Sequence, residues 1–281
     1  MSKVSVIMPC YNDGAYLQEA IDSVKAQTYE NVELIIINDG SDDLATCEIL
    51  KSVAEADRLV RLIATDHIRP AAARNAGIEA ASGKYILPLD ADDKIDPSYI
   101  EKAVQVMESN EKIGAVYCYA DLFGERSGRW DLPTYSFDKM LLDNIVFVTA
   151  LFRKDDWRKV GGFSTKMHHG MEDYDFWLST LELGYEIHQI PEVLFHYRIK
   201  PTSRTTEFMT NPNVVRDTYL EIYKNHPQLY EKYKDEYAIV LRNALIEQIF
   251  MNRALQEGIQ ILDKIKRVPI LKTFVKKFIM K

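Results

Sequence analysis

The stretch Tyr85-Ile86-Leu87-Pro88-Leu89-Asp90-Ala91-Asp92-Asp93 decides the fold. It reads as a short apolar strand that runs straight into three carboxylates. Such a strand is buried, and open α/β sheets place ligands beyond the carboxyl ends of their strands. Three acidic side chains there repel one another unless a cation sits among them. Hard divalent ions such as Mg2+ and Mn2+ take oxygen ligands and commonly bridge to substrate phosphates. One reading is therefore a metal–diphosphate site at Asp90 and Asp92. The other is an acidic loop capping the helix that Asp96-Pro97 begins, because Asp at an N-cap and Pro just after it are ordinary helix starts.

Outward from this stretch the same pattern repeats. Val4 to Pro9, Val32 to Ile37 and Leu59 to Ala64 read as strands. Residues 15–28, 43–56 and 71–81 read as helices; in the first, Leu17, Ala20, Ile21 and Val24 share one face. Four strand–helix alternations with short connections predict a right-handed, mostly parallel sheet with helices on both faces. There is no GxGxxG, so a dinucleotide oxidoreductase has no support. Gly77 to Gly83-Lys84 resembles a phosphate loop but has one residue too many, and Tyr85 replaces the Ser/Thr.

The strand ends carry polar residues of ligand type. Strand one delivers Pro9-Cys10-Tyr11-Asn12, strand two Asp39, the loop after strand three Arg74-Asn75, and strand four Asp90 and Asp92. Tyr11 could stack on a base, Asp39 could accept from a base N–H, and Arg74 could meet a base carbonyl or a phosphate. Taken singly, Tyr11 is also a loop aromatic, Asp39 a turn cap and Arg74 a helix-surface cation. Four consecutive strand ends of this kind are hard to attribute to turns alone.

Composition narrows the classes. A chain of 281 residues, 47% hydrophobic, holds one large domain or two small ones. A net charge of −7 argues against a nucleic-acid binder. Cys10, Cys47 and Cys118 form no CxxC pair, which fits a reducing cytoplasm. Met1-Ser2-Lys3 enters a strand at once without a signal peptide, and no run of about 18 apolar residues predicts a membrane span.

The set Met8-Pro9-Cys10-Tyr11-Asn12, Ile37-Asn38-Asp39-Gly40-Ser41-Asp42-Asp43, Ala73-Arg74-Asn75-Ala76-Gly77 and Leu89-Asp90-Ala91-Asp92-Asp93 resembles the inverting family 2 glycosyltransferases of GT-A fold. The resemblance implies that Pro9, Tyr11, Asn12, Asp39 and Arg74 line the nucleotide site, with Tyr11, Asp39 and Arg74 on a base that is usually uracil. Asp90 would touch ribose or metal, Ala91 would lie along the donor, and Asp92 would ligate Mn2+ or Mg2+ at the diphosphate.

The second half is read as a helix near 97–110, a strand Ile113 to Tyr119, and a surface loop between Asp121 and Phe137. Val146 to Arg153 follows as a strand and Lys154 to Val160 as a short helix closed by Gly161-Gly162. After a helix from Tyr174 to Leu183, Glu186–Ile190 and Val193–Ile199 read as two strands split by Pro191. Glu172-Asp173 at the start of that helix is an ordinary pair of dipole partners, yet sugar transfer to an alcohol needs a general base. The resemblance gives that role to Asp173 and acceptor orientation to Glu172. His168 and His169 would belong to a mobile lid touching phosphate or acceptor, with Trp177 on the acceptor side or lid, and no zinc pattern accompanies them. Phe195-His196-Tyr197-Arg198-Ile199-Lys200 resembles the family's Tyr-Arg-x-His segment, whose His often completes the metal site. Here Lys200 stands at that place, so either His196 shifts role or Lys200 contacts the diphosphate directly; the second is favoured.

The expected organisation is a nucleotide-sugar half over 1–112, an acceptor half over 113–205 and a helical extension over 206–281, with helices at 212–225, 228–257 and 259–281. The extension suits packing or homo-oligomer contacts. Lys264, Lys266, Arg267, Lys272, Lys276, Lys277 and Lys281 lie in a run without an acid, with Leu271, Phe274, Val275, Phe278 and Ile279 on one helical face. Such a tail either lies on an anionic membrane at its cytoplasmic side or docks on protein with its lysines solvated. The function implied is transfer of a sugar, from a UDP-linked donor, to a saccharide or lipid-linked acceptor in surface-polysaccharide assembly. The rival is a catalytically silent sugar-binding or scaffold subunit, disfavoured because Asp92 and Asp173 are both present. A nucleotidyltransferase would need a basic Gly-rich loop after strand one, which Pro9–Gly14 lacks.

Overall fold

The computed structural model describes residues 1–56, 59–201 and 208–266, the side chains of 261–266 excepted. Strands β1 (Val4–Cys10), β2 (Val32–Asp39), β3 (Val60–Thr65) and β4 (Tyr85–Pro88) alternate with helices α1 (Gly14–Lys25), α2 (Leu44–Ala56) and α3 (Arg69–Ala80). All pairings among these strands are parallel, in the order β3-β2-β1-β4. Their apolar runs leave Val6, Ile7, Leu34, Ile35, Ile86 and Leu87 with no exposed surface, as strands covered on both faces require. Leu17, Ala20, Ile21 and Val24 of α1 are buried, so the helical period does place them on the core side.

The second half comprises β5 (Lys94–Ile95), α4 (Tyr99–Ser109), β6 (Ile113–Gly124), β7 (Gly128–Arg129), α5 (Phe137–Leu142), β8 (Leu151–Arg153), α6 (Lys154–Val160), α7 (Glu172–Glu182) and β9 (Glu186–Ile199). The sheet continues past β4 as β8-β6-β9-β5, with β7 paired to β6. β8 runs antiparallel to both β4 and β6 and so seams the parallel half to a second layer of pairing, in which β6 and β9 are again parallel. The sheet is thus mixed, and all nine strands form one surface.

Several expectations are corrected here. The segment 121–137 is not all loop: β6 extends to Gly124, β7 folds back on it, and α5 follows with Ser136 as its N-cap, Oγ accepting from Lys139 N at 3.3 Å. The strand expected over 146–153 keeps only its last three residues, because Asn144 Oδ1 accepts from Val146 N at 3.2 Å and holds a turn. Pro191 does not split the last strand. The register passes from Cys118↔Ile190 to Tyr119↔Val193, so Pro191 and Glu192 bulge out, where a missing N–H costs no ladder bond.

Two compact units are distinguished, Met1–Glu231 and Lys232–Lys281. In the first, α8 (Pro212–Asn225) is followed by α9 (Pro227–Lys232). Tyr219 hydroxyl bonds Asp143, and Asn225 Nδ2 donates to Asp175 Oδ1 at 2.7 Å. His226 is buried between Asp175 (3.3 Å) and Glu182 (3.1 Å). The second unit is α10 (Lys234–Lys266), which runs through Gly258, so the break expected near there is absent. Ile239, Phe250, Met251 and Leu255 on it are all more than half exposed. Among the described residues no helix is long and apolar enough to cross a membrane. The basic tail expected over 264–281 lies, beyond Lys266, outside the described residues.

Candidate active site

The ends of β1, β2, β3 and β4 meet along one edge, and the side chains there are tied to one another before any ligand arrives. Asn12, at φ +57°, donates from Nδ2 to Asp42 Oδ1 (2.6 Å), and its Oδ1 accepts from the backbone N–H groups of Asp42 and Asp43 (3.1 Å each). Expected as a donor contact, Asn12 is spent on fastening the β2–α2 loop. Asp39, 2% exposed, accepts from Thr65 Oγ1 (2.8 Å), Ile68 N (2.7 Å) and Arg69 N (3.0 Å). It braces the loop after β3, and a base N–H would use its remaining acceptor capacity. That loop is strained: His67 and Arg69 both have positive φ, +48° and +72°, the left-handed region that favours glycine. The strain presents the His67 ring 4.1 Å from that of Tyr11, which is 41% exposed. The pair forms an aromatic ledge at the mouth. Sequence reasoning missed His67; the polar run Thr65 to Arg69 ahead of Pro70 was its only signal. Pro9 lies half-buried within β1, paired in register with Ile37.

Arg74, expected at the nucleotide, is held in this structure as an internal clamp. It is 3% exposed, donating from Nη2 to Asp90 Oδ1 (2.7 Å) and from Nη1 to Glu172 Oε1 (2.8 Å). The planar guanidinium fork joins the β4 loop to the start of α7, and Arg74 itself lies 98 residues from Glu172 in sequence. Glu172, 5% exposed, is paired with Arg74 in this structure. Asn75 beside it holds the 161–163 turn: Oδ1 accepts from Phe163 N (2.9 Å) and Trp157 Nε1 (3.0 Å).

The 90–93 loop is pinned from β9. Arg198 donates from N to Asp93 Oδ1 and from Nε to Asp92 O, both at 2.8 Å. Asp93 is buried, and that burial with Asp92 nearby pushes its pKa well up. Ala91 is 1% exposed, so only its backbone could touch a donor. Lys200 Nζ sits 2.7 Å from Asp92 Oδ2 and 2.8 Å from Asp13 Oδ1. Burial pulls its pKa down, but the two carboxylates outweigh that and raise it. His196 pairs across the sheet with Lys94 and Asp121, so Lys200 and not His196 meets Asp92.

The residues fit a divalent ion only in an open way. Among the described residues no group of three or more His, Cys, Asp or Glu could hold a metal ion. Asp90 gives one carboxylate oxygen to Arg74 and Asp92 gives one to Lys200, so each keeps the other. Burial and the charge of Asp90 raise the pKa of Asp92, the condition that a bound cation relieves. One or two carboxylates completed by phosphate oxygens and water is the usual Mg2+ arrangement.

On the other side, Asp173 follows Met171, whose φ of +68° turns the chain into α7. Its Oδ1 accepts from Tyr174 N (2.9 Å), and Asn144 lies close enough to pull its pKa down slightly. Burial first, then the charge of Glu172, push its pKa up to about 6. His168 and His169 are exposed on the preceding loop, where Ile68, Arg69 and Thr165 join them around a hollow of about 460 Å3; His168 Nδ1 lies 3.4 Å from Arg69 Nη1. Trp177 is corrected outright: it has no exposed surface, and its Nε1 donates to Val146 O at 3.0 Å. It is core, not acceptor surface.

A mixed sheet with a carboxylate loop after β4 and a carboxylate helix facing it is the GT-A arrangement of sugar transferases. The chain belongs to glycosyl transferase family 2, whose model matches residues 5–168. It is 34% identical over 212 residues to an uncharacterized glycosyltransferase of Haemophilus influenzae, covering 70% of this chain and 65% of that one. With the uncharacterized glycosyltransferase YibD of Escherichia coli it shares 32% over 225 residues, covering 79% and 61%. The chain thus spans less than two thirds of the length of these relatives. TarS 1–349 of S. aureus, solved with UDP-GlcNAc, shares the fold at TM-score 0.64 and 17% identity, over 79% of this chain and 66% of that one. So does mannosyltransferase PcManGT from Pyrobaculum calidifontis, solved with GDP-Man and Mn2+, at TM-score 0.60 and 17% identity, over 98% and 83%.

Proposed function

We propose that this family 2 glycosyltransferase moves a sugar from a nucleotide-sugar, UDP-linked by preference, to a hydroxyl of a saccharide or lipid-linked acceptor, inverting the anomeric centre in a single displacement. The observation that carries the reading is the opposition of two carboxylate groups across one site: Asp90 and Asp92, flanked by Arg74 and Lys200, and Asp173, with a pKa near 6. The base would lie on the Tyr11–His67 ledge. The diphosphate would lie along the 90–92 loop, where the Lys200 ammonium can exchange Asp92 for a phosphate oxygen. Asp173 takes the proton from the acceptor hydroxyl as that oxygen attacks the anomeric carbon. A divalent cation at Asp92 would supply electrostatic stabilisation of the leaving nucleoside diphosphate. Surface-polysaccharide assembly remains the favoured setting, and the exposed apolar residues of α10 support an oligomer contact.

The test is hydrolysis of a panel of UDP-, GDP- and dTDP-sugars, with and without EDTA. At least one donor is expected to turn over, and Asp92→Ala is expected to abolish the metal-stimulated part while leaving the melting curve in place. A panel that is never hydrolysed, with no nucleoside diphosphate bound, would return the chain to the silent-subunit reading. Full turnover of Asp92→Ala in EDTA would remove the metal.

A further inference from the structure

With Trp177 in the core, the acceptor side needs another surface, and the geometry points to Trp130 as a platform for a saccharide ring of the acceptor. β7 folds back on β6 with Asp121 opposite Arg129, and Trp130 N donates to Ala120 O at 3.0 Å, which fixes the residue at the end of this ribbon. Its ring lies 4.8 Å from Tyr197 at 36° and 6.0 Å from Phe147 at 24°. Phe147 is itself buried against Phe195, 4.5 Å away. Trp130 is therefore backed by a rigid aromatic wall, yet it stays half-buried.

The other two tryptophans show what is unusual. Trp157 is 8% exposed and donates its N–H to Asn75; Trp177 has no exposed surface and donates to Val146. Among the described residues the indole N–H of Trp130 has no partner. A large amphipathic side chain with an open edge and an idle donor suits a ligand that has both an apolar and a hydroxylated face. A pyranose is such a ligand: its axial C–H groups carry slight positive charge toward the negative ring face, and its hydroxyls accept from N–H.

Position joins the platform to the chemistry. The segment that backs Trp130 runs back from Phe147 to Asn144, which lies beside Asp173. Three residues span at most about 10 Å, and Trp177 pins the middle of the span through Val146 O. One short pinned segment thus joins the aromatic backing of Trp130 to the residue beside the proposed base. The assignment rests on the glycosyl-transfer reading above and narrows it to a carbohydrate acceptor, as opposed to one recognised only through a lipid or phosphate.

The experiment is saturation-transfer NMR on the full chain with a panel of methyl pyranosides and β-linked disaccharides, UDP present. Ring C–H signals of at least one saccharide are expected to receive saturation in the wild type. The transfer should fall about tenfold or more in apparent affinity in Trp130→Ala, the scale of a lost aromatic stack, and survive in large part in Trp130→Phe. UDP affinity and donor hydrolysis should be unchanged in both variants. Full transfer in Trp130→Ala, or none from the wild type to any saccharide, overturns the platform. Loss of donor hydrolysis in the wild type would overturn the transfer reading instead, so the two failures are distinguishable. If Trp130→Ala melts early, Trp130→Phe and Trp130→Leu decide, since Leu keeps the apolar volume but not the ring.

Discussion

At the 90–93 loop each carboxylate that faces the site has a cation of the fold beside it: Asp90 has Arg74, Asp92 has Lys200. On the other side of the site Asp173 has no ion pair among the described residues, and its neighbour Glu172 has taken the shared cation. The consequence is a division of roles by environment. The loop carboxylates are held ready for a charged ligand, with charge already matched. Asp173 is left with burial and a like charge, so its proton affinity rises into the range where a base can both hold and release a proton. One guanidinium, Arg74, sets both conditions, because it binds one member of each group.

The largest expected effect tests the base. Asp173→Asn keeps the shape and hydrogen bonding of the side chain but cannot take a proton. Turnover should fall by roughly 10²–10⁴, the usual worth of a general base, while calorimetry finds UDP affinity unchanged. Loss of UDP affinity with unchanged turnover would move Asp173 to the donor side and erase the comparison.

Next comes the clamp itself. Arg74→Met leaves Glu172 buried without its partner, and breaking a buried pair in this way costs about 3–5 kcal/mol. The low end is expected, because Asp90 stays partly in water. Urea denaturation gives the number. Adding Glu172→Gln should return part of the loss, since the stranded charge is gone; a double variant no more stable than the single one would show that packing, not charge, is what Arg74 supplies.

Tyr11→Ala should weaken UDP binding by about 1–3 kcal/mol, the scale of a base–aromatic stack, and His67→Ala by less, because the His67 ring backs Tyr11. Unchanged UDP affinity in Tyr11→Ala would take the base off the ledge and leave the loop bracing by Asp39 as a purely structural device.

How far the sequence reveals all this differs between the two halves for a physical reason. In β1 to β4 the signal is local: apolar runs buried on both faces, ended by turn residues, with a helix of clear period after the first. In the second half the deciding contacts are distant. Nothing near Arg74 in sequence announces its pairing with Glu172. Asn12 and Asp39 read as ligands because turn chemistry and ligand chemistry use the same residue types. Pro191 reads as a strand break because a bulge is a property of pairing with β6, not of the strand alone. Trp177 and Trp130 are indistinguishable as letters; which is core and which is surface is settled by the α7–β8 and β6–β7 packing. Lys200 is the exception, a distant residue whose place was legible through the family's segment, and it does meet Asp92.

The smallest effect, and the sharpest on the comparison, is in pH. The group that works as base is the ionised carboxylate, so turnover should be at its plateau above the Asp173 pKa and fall as pH drops through about 6, to half near that value and tenfold per unit below it. Stability runs the other way. A carboxyl whose folded pKa lies above its ordinary value near 4 binds more protons folded than unfolded between those two values, so its contribution favours the native state at low pH and is lost as pH rises through 6. The base form is thus reached at some cost to the fold. Asp173→Asn cannot ionise and should melt somewhat higher than the wild type at pH 7.5, with the difference shrinking toward pH 4. Initial rates and melting temperatures across pH 4.5 to 8 measure both. A limb near 6 that persists in the residual activity of Asp173→Asn would belong to another group. A limb near 4 would show that the pull of Arg74 on Asp173 outweighs burial and Glu172 in the working enzyme, and the two sides of the site would then not differ as described.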